Sequence, residues 1–236
     1  MGTDPMRSAL CALTIVTALL AGCASEAPSE ILQQTQRYPT VVDLPPPDVS
    51  GSVSLEQTLR ERRSAREFSD AELTLETIGQ LLWAGQGITD DEGRRTAPSA
   101  GGTYPLELYA VTVADLMHYL PDGHRVEQRT DTTTLRALPD VAFGQSFVGA
   151  APLVVVIAGD PARTEQKYGA VAGDLMNREA GHAAQNILLQ ATALGLAAVP
   201  VSGFDPAEVE RLLALPVGQT VLYLIPVGEP LSGAND

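Results

Sequence analysis

Glu179 to Phe204 reads EAGHAAQNILLQATALGLAAVPVSGF, and this stretch decides the fold. Ala180, Ala184, Ile187, Leu188, Ala191 and Leu194 recur at steps of three and four, the period of a helix face packed on a core. Ala183, Leu189, Ala193 and Leu196 widen the stripe until little polar surface remains, which puts the helix in the middle of a domain. Its Ala and Gly positions let a neighbouring element or a flat ligand come close. Gln185 and Asn186 are the polar exceptions, able to bond across the core or to a ligand. Gly195 suits the end of the helix. Ala197 to Val201 then reads as a short extended segment, with Pro200 unsuited to a central ladder and Gly203 marking a turn.

Working outward, Leu153 to Ala158 is a branched apolar run and reads as an internal strand. Thr220 to Val227, TVLYLIPV, is a second strand, ending at Gly228. Leu106 to Val113 alternates as a strand does. Leu116–Leu120 and Arg125–Gln128 flank Pro121-Asp122-Gly123, which predicts a hairpin. Asp131–Leu138 and Val141–Phe147 read as short helices, as does the stretch from Asp205 or Pro206 to Leu213. Pro161 to Arg178 is partly helical, interrupted near Gly169 or Gly173. Ser54-Leu55-Glu56-Gln57 fits a capping box, with Leu55 and Leu59 on one face of the helix it opens. Thr74 caps a helix with Leu75, Ile78, Leu81 and Leu82 on its buried side. Helices first, then strands and helices mixed, argue for layered α/β or α+β architecture and against a bundle, sandwich or barrel.

The chain has 236 residues, 44% of them apolar, enough for one domain with a substantial core. Its formal net charge of -14 makes nucleic acid a poor partner. Arg7 followed by the apolar run Ala9–Leu20 reads as a signal peptide over 1–22, too short to span a bilayer comfortably. The ending Leu20-Ala21-Gly22-Cys23 resembles a bacterial lipobox, which implies cleavage before Cys23 and acylation there. Residues 23–52, with Pro45-Pro46-Pro47, then read as a tether from a lipid-anchored end, although Tyr38–Leu44 has the means to pack on the domain surface. The folded domain is expected over 53–236, on the outer face of a membrane. The only other cysteine, Cys11, lies in the signal, so the domain has no thiol, disulfide or iron–sulfur chemistry of its own.

Two segments outside the central helix carry chemistry. Arg60-Glu61-Arg62-Arg63-Ser64-Ala65-Arg66-Glu67-Phe68 gathers four arginines. It is either a solvated face paired with Glu61 and Glu67 or a site for an oxyanion, since guanidinium offers rigid charged forks for phosphate. Ala97-Pro98-Ser99-Ala100-Gly101-Gly102-Thr103-Tyr104-Pro105 is either a plain turn before a strand or the edge of a ligand site; it lacks the Walker ending and the dinucleotide spacing. His118, His124 and His182 include no pair at metal-ligand helical spacing, so no metal site is expected. No Gly-x-Ser-x-Gly elbow is present. Chemistry without a protein nucleophile or metal points to an organic cofactor or to binding alone.

Arg62–Phe68 resembles the opening motif of nitroreductase-like FMN flavoproteins. Ala97–Pro105, Glu179–Asn186, Ala193–Leu196 and Pro200–Phe204 resemble the later motifs, in particular those of dehydrogenase domains related to the azoline oxidases of modified-peptide biosynthesis. Pro226–Pro230 resembles the closing strand. The likeness implies an α+β fold with a central, mainly antiparallel sheet flanked by helices, and a homodimer with FMN near the subunit boundary. It implies that Arg62, Arg63, Ser64 and Arg66 hold the phosphate or ribityl region. Pro98, Ser99, Ala100 and Gly101 would then pass beside the isoalloxazine ring, with Pro200, Val201, Ser202 and Gly203 on its other side. Lys167-Tyr168 is similar to a substrate-side pair in azoline-oxidising relatives, though the arginine-rich pattern found after it there is absent. The tail Glu229–Asp236 also lacks the cation with which many relatives reach phosphate. The implied activity is FMN-dependent oxidoreduction of a small molecule or peptide-derived substrate, with NAD(P)H or the substrate itself as hydride source. The other reading is a binding module that keeps the fold without turnover.

Overall fold

A computed structural model describes residues 37–231 of the chain. The expected signal peptide and the Cys23 anchor lie outside these residues. Seven strands form one antiparallel sheet in the order β1-β4-β3-β2-β5-β7-β6: β1 Thr40–Asp43, β2 Leu106–Thr112, β3 Asp115–Leu120, β4 Arg125–Thr130, β5 Leu153–Gly159, β6 Ala197–Ala198 and β7 Thr220–Gly228. The helices are α1 Leu55–Glu61, α2 Leu75–Gln86, α3 Thr134–Val141, α4 Ser146–Ala150, α5 Ala162–Tyr168, α6 Ala172–Ala193 and α7 Pro206–Leu213. The architecture is α+β, as expected from the sequence.

Every residue of β5 is buried because helices cover both faces of the sheet. Leu153, Val155 and Ile157 face one core with α2 and α6; Val154, Val156 and Ala158 face the other with α3 and α7. A strand covered on both sides reads as an unbroken apolar run, which is what LVVVIAG is. The central helix α6 buries Met176, Ala180, Ala183, Ala184, Ile187, Leu188 and Ala191, and it begins at Ala172, seven residues before Glu179. Gly195 ends it at φ 71°, a conformation that costs glycine little. Gly85 of α2 faces the junction of α6 and the sheet. A Cβ there would lie 2.9 Å from Leu108 Cδ1 and 3.0 Å from Ile187 Cδ1, so the layers meet at near-contact distance.

Three local readings need correction. Part of the expected tether belongs to the sheet: Tyr38 and Leu44 are buried, and β1 between them pairs with β4. The helix expected over Val141–Phe147 is split, because Phe143 and Gly144 take positive φ and α4 starts only at Ser146. The capping box at Ser54 is half formed. Ser54 Oγ accepts from Gln57 N at 3.1 Å, but the Gln57 amide donates to Glu61 instead of reaching back. Leu55 and Leu59 share a face, as expected, and both are more than half exposed.

One buried ionic cluster lies on the sheet, out of contact with α6. His118 on β3 is 8% exposed, with Nδ1 2.7 Å from Glu127 and Nε2 2.8 Å from Glu107, and it stacks on Tyr109. Arg163 also pairs with Glu107. Burial alone would lower the imidazole pKa, but the two carboxylate bonds outweigh it and raise it to about 9. A group whose folded pKa lies above its unfolded value contributes stability that is complete below the unfolded pKa. That contribution disappears as pH rises through about 9. His118→Ala should therefore cost about 3–5 kcal/mol at neutral pH, the usual result of stranding buried charges. In urea titrations the deficit should shrink toward pH 10; a deficit independent of pH would refute the assigned charge state.

Candidate functional site

The arginine segment and the segment after α6 are joined by backbone. Arg62 caps α1 and turns the chain extended, at φ -53° and ψ 121°. Ser64 then bridges to Ala198 in parallel, and Ala65 N donates to Ala198 O at 3.1 Å. Pro200–Gly203 continues along β7, with Val201 N to Leu224 O at 2.8 Å and the return bond at 3.0 Å. Val201 is buried beneath it, while Ser202 and Gly203 are exposed. The Gln145 amide, from the loop before α4, donates to Gly203 O at 2.7 Å and fixes the end of the segment.

The charges on this ledge are unbalanced. Glu61 pairs with Arg60, and among the described residues no carboxylate pairs with Arg62, Arg63 or Arg66. Arg63 folds back to donate to the carbonyls of Arg60 and Arg62, at 2.8 and 2.9 Å. Arg66 lies over the Phe147 ring at 5.5 Å. In a chain of net charge -14, a cluster of cations without carboxylate partners is suited to an anionic ligand.

Pro98–Gly101 forms a second, separate ledge. Gly101 and Gly102 have φ 61° and 67°, and Tyr104 has φ 45°, so the turn is tightly wound. Ser99 Oγ accepts from Tyr104 N at 2.9 Å. Lys167 Nζ donates to Gly101 O at 3.2 Å. A Cβ on Gly101 would lie 2.5 Å from the Tyr168 hydroxyl, so the end of α5 is pressed against the turn. Thr103 and Thr164 hydroxyls meet at 2.9 Å and tie the same elements together.

Sequence reasoning passed over three residues beneath this turn. Glu179 is buried near Ser99 and Ala100, and its Oε1 has no hydrogen-bond partner. Arg95 donates to Gln86 at 2.8 Å and lies over the Tyr104 ring at 4.6 Å. Glu179 did leave a signal: it is in step with buried Ala183 and Ile187, a carboxyl on an apolar stripe. Arg95 and Gln86 left none, since they meet only through the fold. Asn186 donates to Thr96 O at 3.2 Å, fastening the start of the turn to α6, and Gln185 is exposed.

One chain does not bring the two ledges together. Ser99 and Ala100 lie near Glu179, toward the start of α6, and Ser64 bridges to Ala198, just past the end of α6. The fourteen helical steps from Glu179 to Ala193 span about 21 Å. Between the ledges a groove of about 330 Å³ runs along α6, lined by Leu55, Thr58, Trp83, Thr96, Asn186 and Leu189. Beside it Leu55, Leu59 and Leu194 are 60%, 54% and 42% exposed.

Comparison with known proteins gives a single answer. The family model described as the nitroreductase family matches residues 59–229. A nitroreductase-like protein of Methanocaldococcus jannaschii is 38% identical over 192 residues, 78% of this chain and 95% of its own length. A protein of Thermus thermophilus named NADH dehydrogenase is 32% identical over 128 residues, 42% of this chain and 62% of its own. The crystal structure of a nitroreductase-like protein from Ralstonia eutropha superimposes with a TM-score of 0.73 at 29% identity, covering 81% of this chain and 90% of that one. None of these relatives bears a name from modified-peptide biosynthesis.

Proposed function

The chain belongs to the nitroreductase family, and on that premise we propose that it is an FMN-dependent oxidoreductase acting on a small molecule as a homodimer. The observation that carries the reading is the arginine ledge: Arg62, Arg63 and Arg66 have no carboxylate partner among the described residues and lie beside the exposed end of Pro200–Gly203.

The residues present fit FMN. Arg62, Arg63 and Ser64 would take its phosphate or ribityl region, with Arg66 bracing them. Pro200, Val201, Ser202 and Gly203 would cover one face of the ring and Pro98, Ser99, Ala100 and Gly101 the other. Within one chain those last two sets stand at opposite ends of α6, which argues that each site takes its Ser99 ledge from a second copy. Two copies related by a twofold axis, with their α6 helices antiparallel, bring the start of one helix to the end of the other. The same arrangement covers the exposed Leu55, Leu59 and Leu194.

When bound, FMN supplies reversible two-electron chemistry. The chain binds its anionic end, orients the ring and keeps water from its faces. Lys167 and Tyr168, held against Gly101, fall on the substrate edge of the turn in this reading. Export and anchoring through Cys23 would separate the domain from cytoplasmic NAD(P)H. The reading therefore favours a substrate or a membrane partner as hydride source.

Purified protein should be yellow and release FMN on denaturation. Colourless protein that ignores added FMN would instead support a binding module without turnover. Replacing Arg62 and Arg63 together with Ala should weaken FMN binding by at least about 100-fold, the loss of two charge-assisted hydrogen bonds. Unchanged affinity would remove the phosphate role. Gly101→Ala, with a strained left-handed φ and a methyl against Tyr168, should spoil the other ledge. Mixed and refolded together, the two defective chains should regain FMN binding at one site per heterodimer, whereas a site built within one chain would regain none. Fatty-acid labelling that persists in Cys23→Ala would refute the anchor.

A further inference from the structure

We propose that Arg163 is a positioning residue for the cofactor pocket, its guanidinium fork tying the strained end of the Ser99–Tyr104 turn to a fixed carboxylate in the sheet. The inference rests on the flavin reading for what the turn covers, but the tie itself stands on bonded geometry. Tyr104 takes φ 45°, a left-handed conformation that costs a bulky residue free energy and persists only where its surroundings enforce it. Side chains catch both polar groups of its backbone. Tyr104 N donates to Ser99 Oγ at 2.9 Å. Arg163 Nη1 donates to Tyr104 O at 3.1 Å, and among the described residues no other group does. The next residue is Pro105, so the peptide after Tyr104 has no N–H of its own and its carbonyl is the one group by which it can be held. The Tyr104 ring is held separately, under the Arg95 guanidinium at 4.6 Å.

The other arm of the fork reaches the sheet. Arg163 Nη2 donates to Glu107 Oε1 on β2. His118 Nε2 lies 2.8 Å from the second oxygen of the same carboxyl, so the Glu107 side chain, 12% exposed, is gripped at both oxygens. Arg163 Nε is 3.5 Å from Asp160, whose N–H donates to Pro105 O at 2.9 Å. Thr164 and Lys167, on the same helix as Arg163, restrain Thr103 and Gly101. An ion pair in open solvent is worth little. Here the carboxylate is nearly buried and already fixed, and the guanidinium bonds two partners at a set separation. A lysine ammonium is a single point charge; it would go to the Glu107 carboxylate and leave the neutral Tyr104 carbonyl.

Hydrogen exchange on the full chain without added flavin tests the tie, and FMN titration tests its consequence. In Arg163→Lys, exchange over residues 98–104 should quicken about tenfold while β5 and β7 stay protected and the urea midpoint keeps its wild-type value. FMN affinity should fall about tenfold, the worth of one hydrogen bond from a charged donor. The visible circular dichroism of bound FMN should weaken with it, because the turn no longer fixes the surroundings of the ring. Arg163→Ala should loosen the segment as much and also lower the urea midpoint, since it takes the cation from Glu107. If Arg163→Ala does not fold, Arg163→Lys decides alone. Unchanged exchange over 98–104 in Arg163→Lys, or exchange that quickens equally in β5 and β7, overturns the proposal. Wild-type chain that takes up no FMN overturns the flavin reading instead, whatever the exchange shows.

Discussion

The contact between α6 and the sheet sets every other distance in the molecule. Ala180, Ala183, Ala184 and Ala191 let the helix lie close on β2 and β5, and Gly85 lets α2 close in beside it. Small side chains bury little area each, so the layer depends on closeness rather than bulk, and on Ile187 and Leu188 for volume. A helix seated so firmly acts as a ruler: the turn packed near Glu179 and the segment past Ala193 are held a fixed length apart.

That rigidity explains what the sequence disclosed. Long periodic elements were legible because their period reflects burial: α6, the unbroken run of β5, the alternation of β2, and the hairpin turned at Gly123. The motifs on either side of α6 were legible as segments. Their spatial relation was not, because no local pattern encodes which end of a helix a distant loop meets. β1 was obscured for another reason. Four residues on a sheet edge, with Val41 exposed, carry too little alternation to be told from a linker; the burial that commits them falls on the flanking Tyr38 and Leu44. Phe143 broke an otherwise plausible helix through its positive φ, which composition does not announce.

Electrostatics separates the two places where this acidic chain gathers charge. Around His118, opposite charges are buried together and satisfied; Glu107 meets both His118 and Arg163. Such a cluster specifies strand register, because sliding β3 by one residue would turn His118 to the other face and strand both carboxylates. Around Arg62 the opposite holds. The guanidinium groups are at the surface and like-charged, and the nearby acid Glu61 is taken by Arg60. Mutual repulsion among cations in water is mild, so the arrangement is tolerable unbound and becomes favourable once an anion arrives.

Leu55 and Leu59 connect the rigid helix to the charged ledge. On sequence they share one face of α1; in the fold that face points to solvent beside the arginines, with Leu194 near them. A short helix that spends its apolar face on water gains nothing from it within one chain. In the homodimer we propose, a second copy would cover these residues and carry its own Ser99 turn to the arginines. On that proposal the length of α6, which keeps the two ledges apart in one subunit, would set them opposite each other in two.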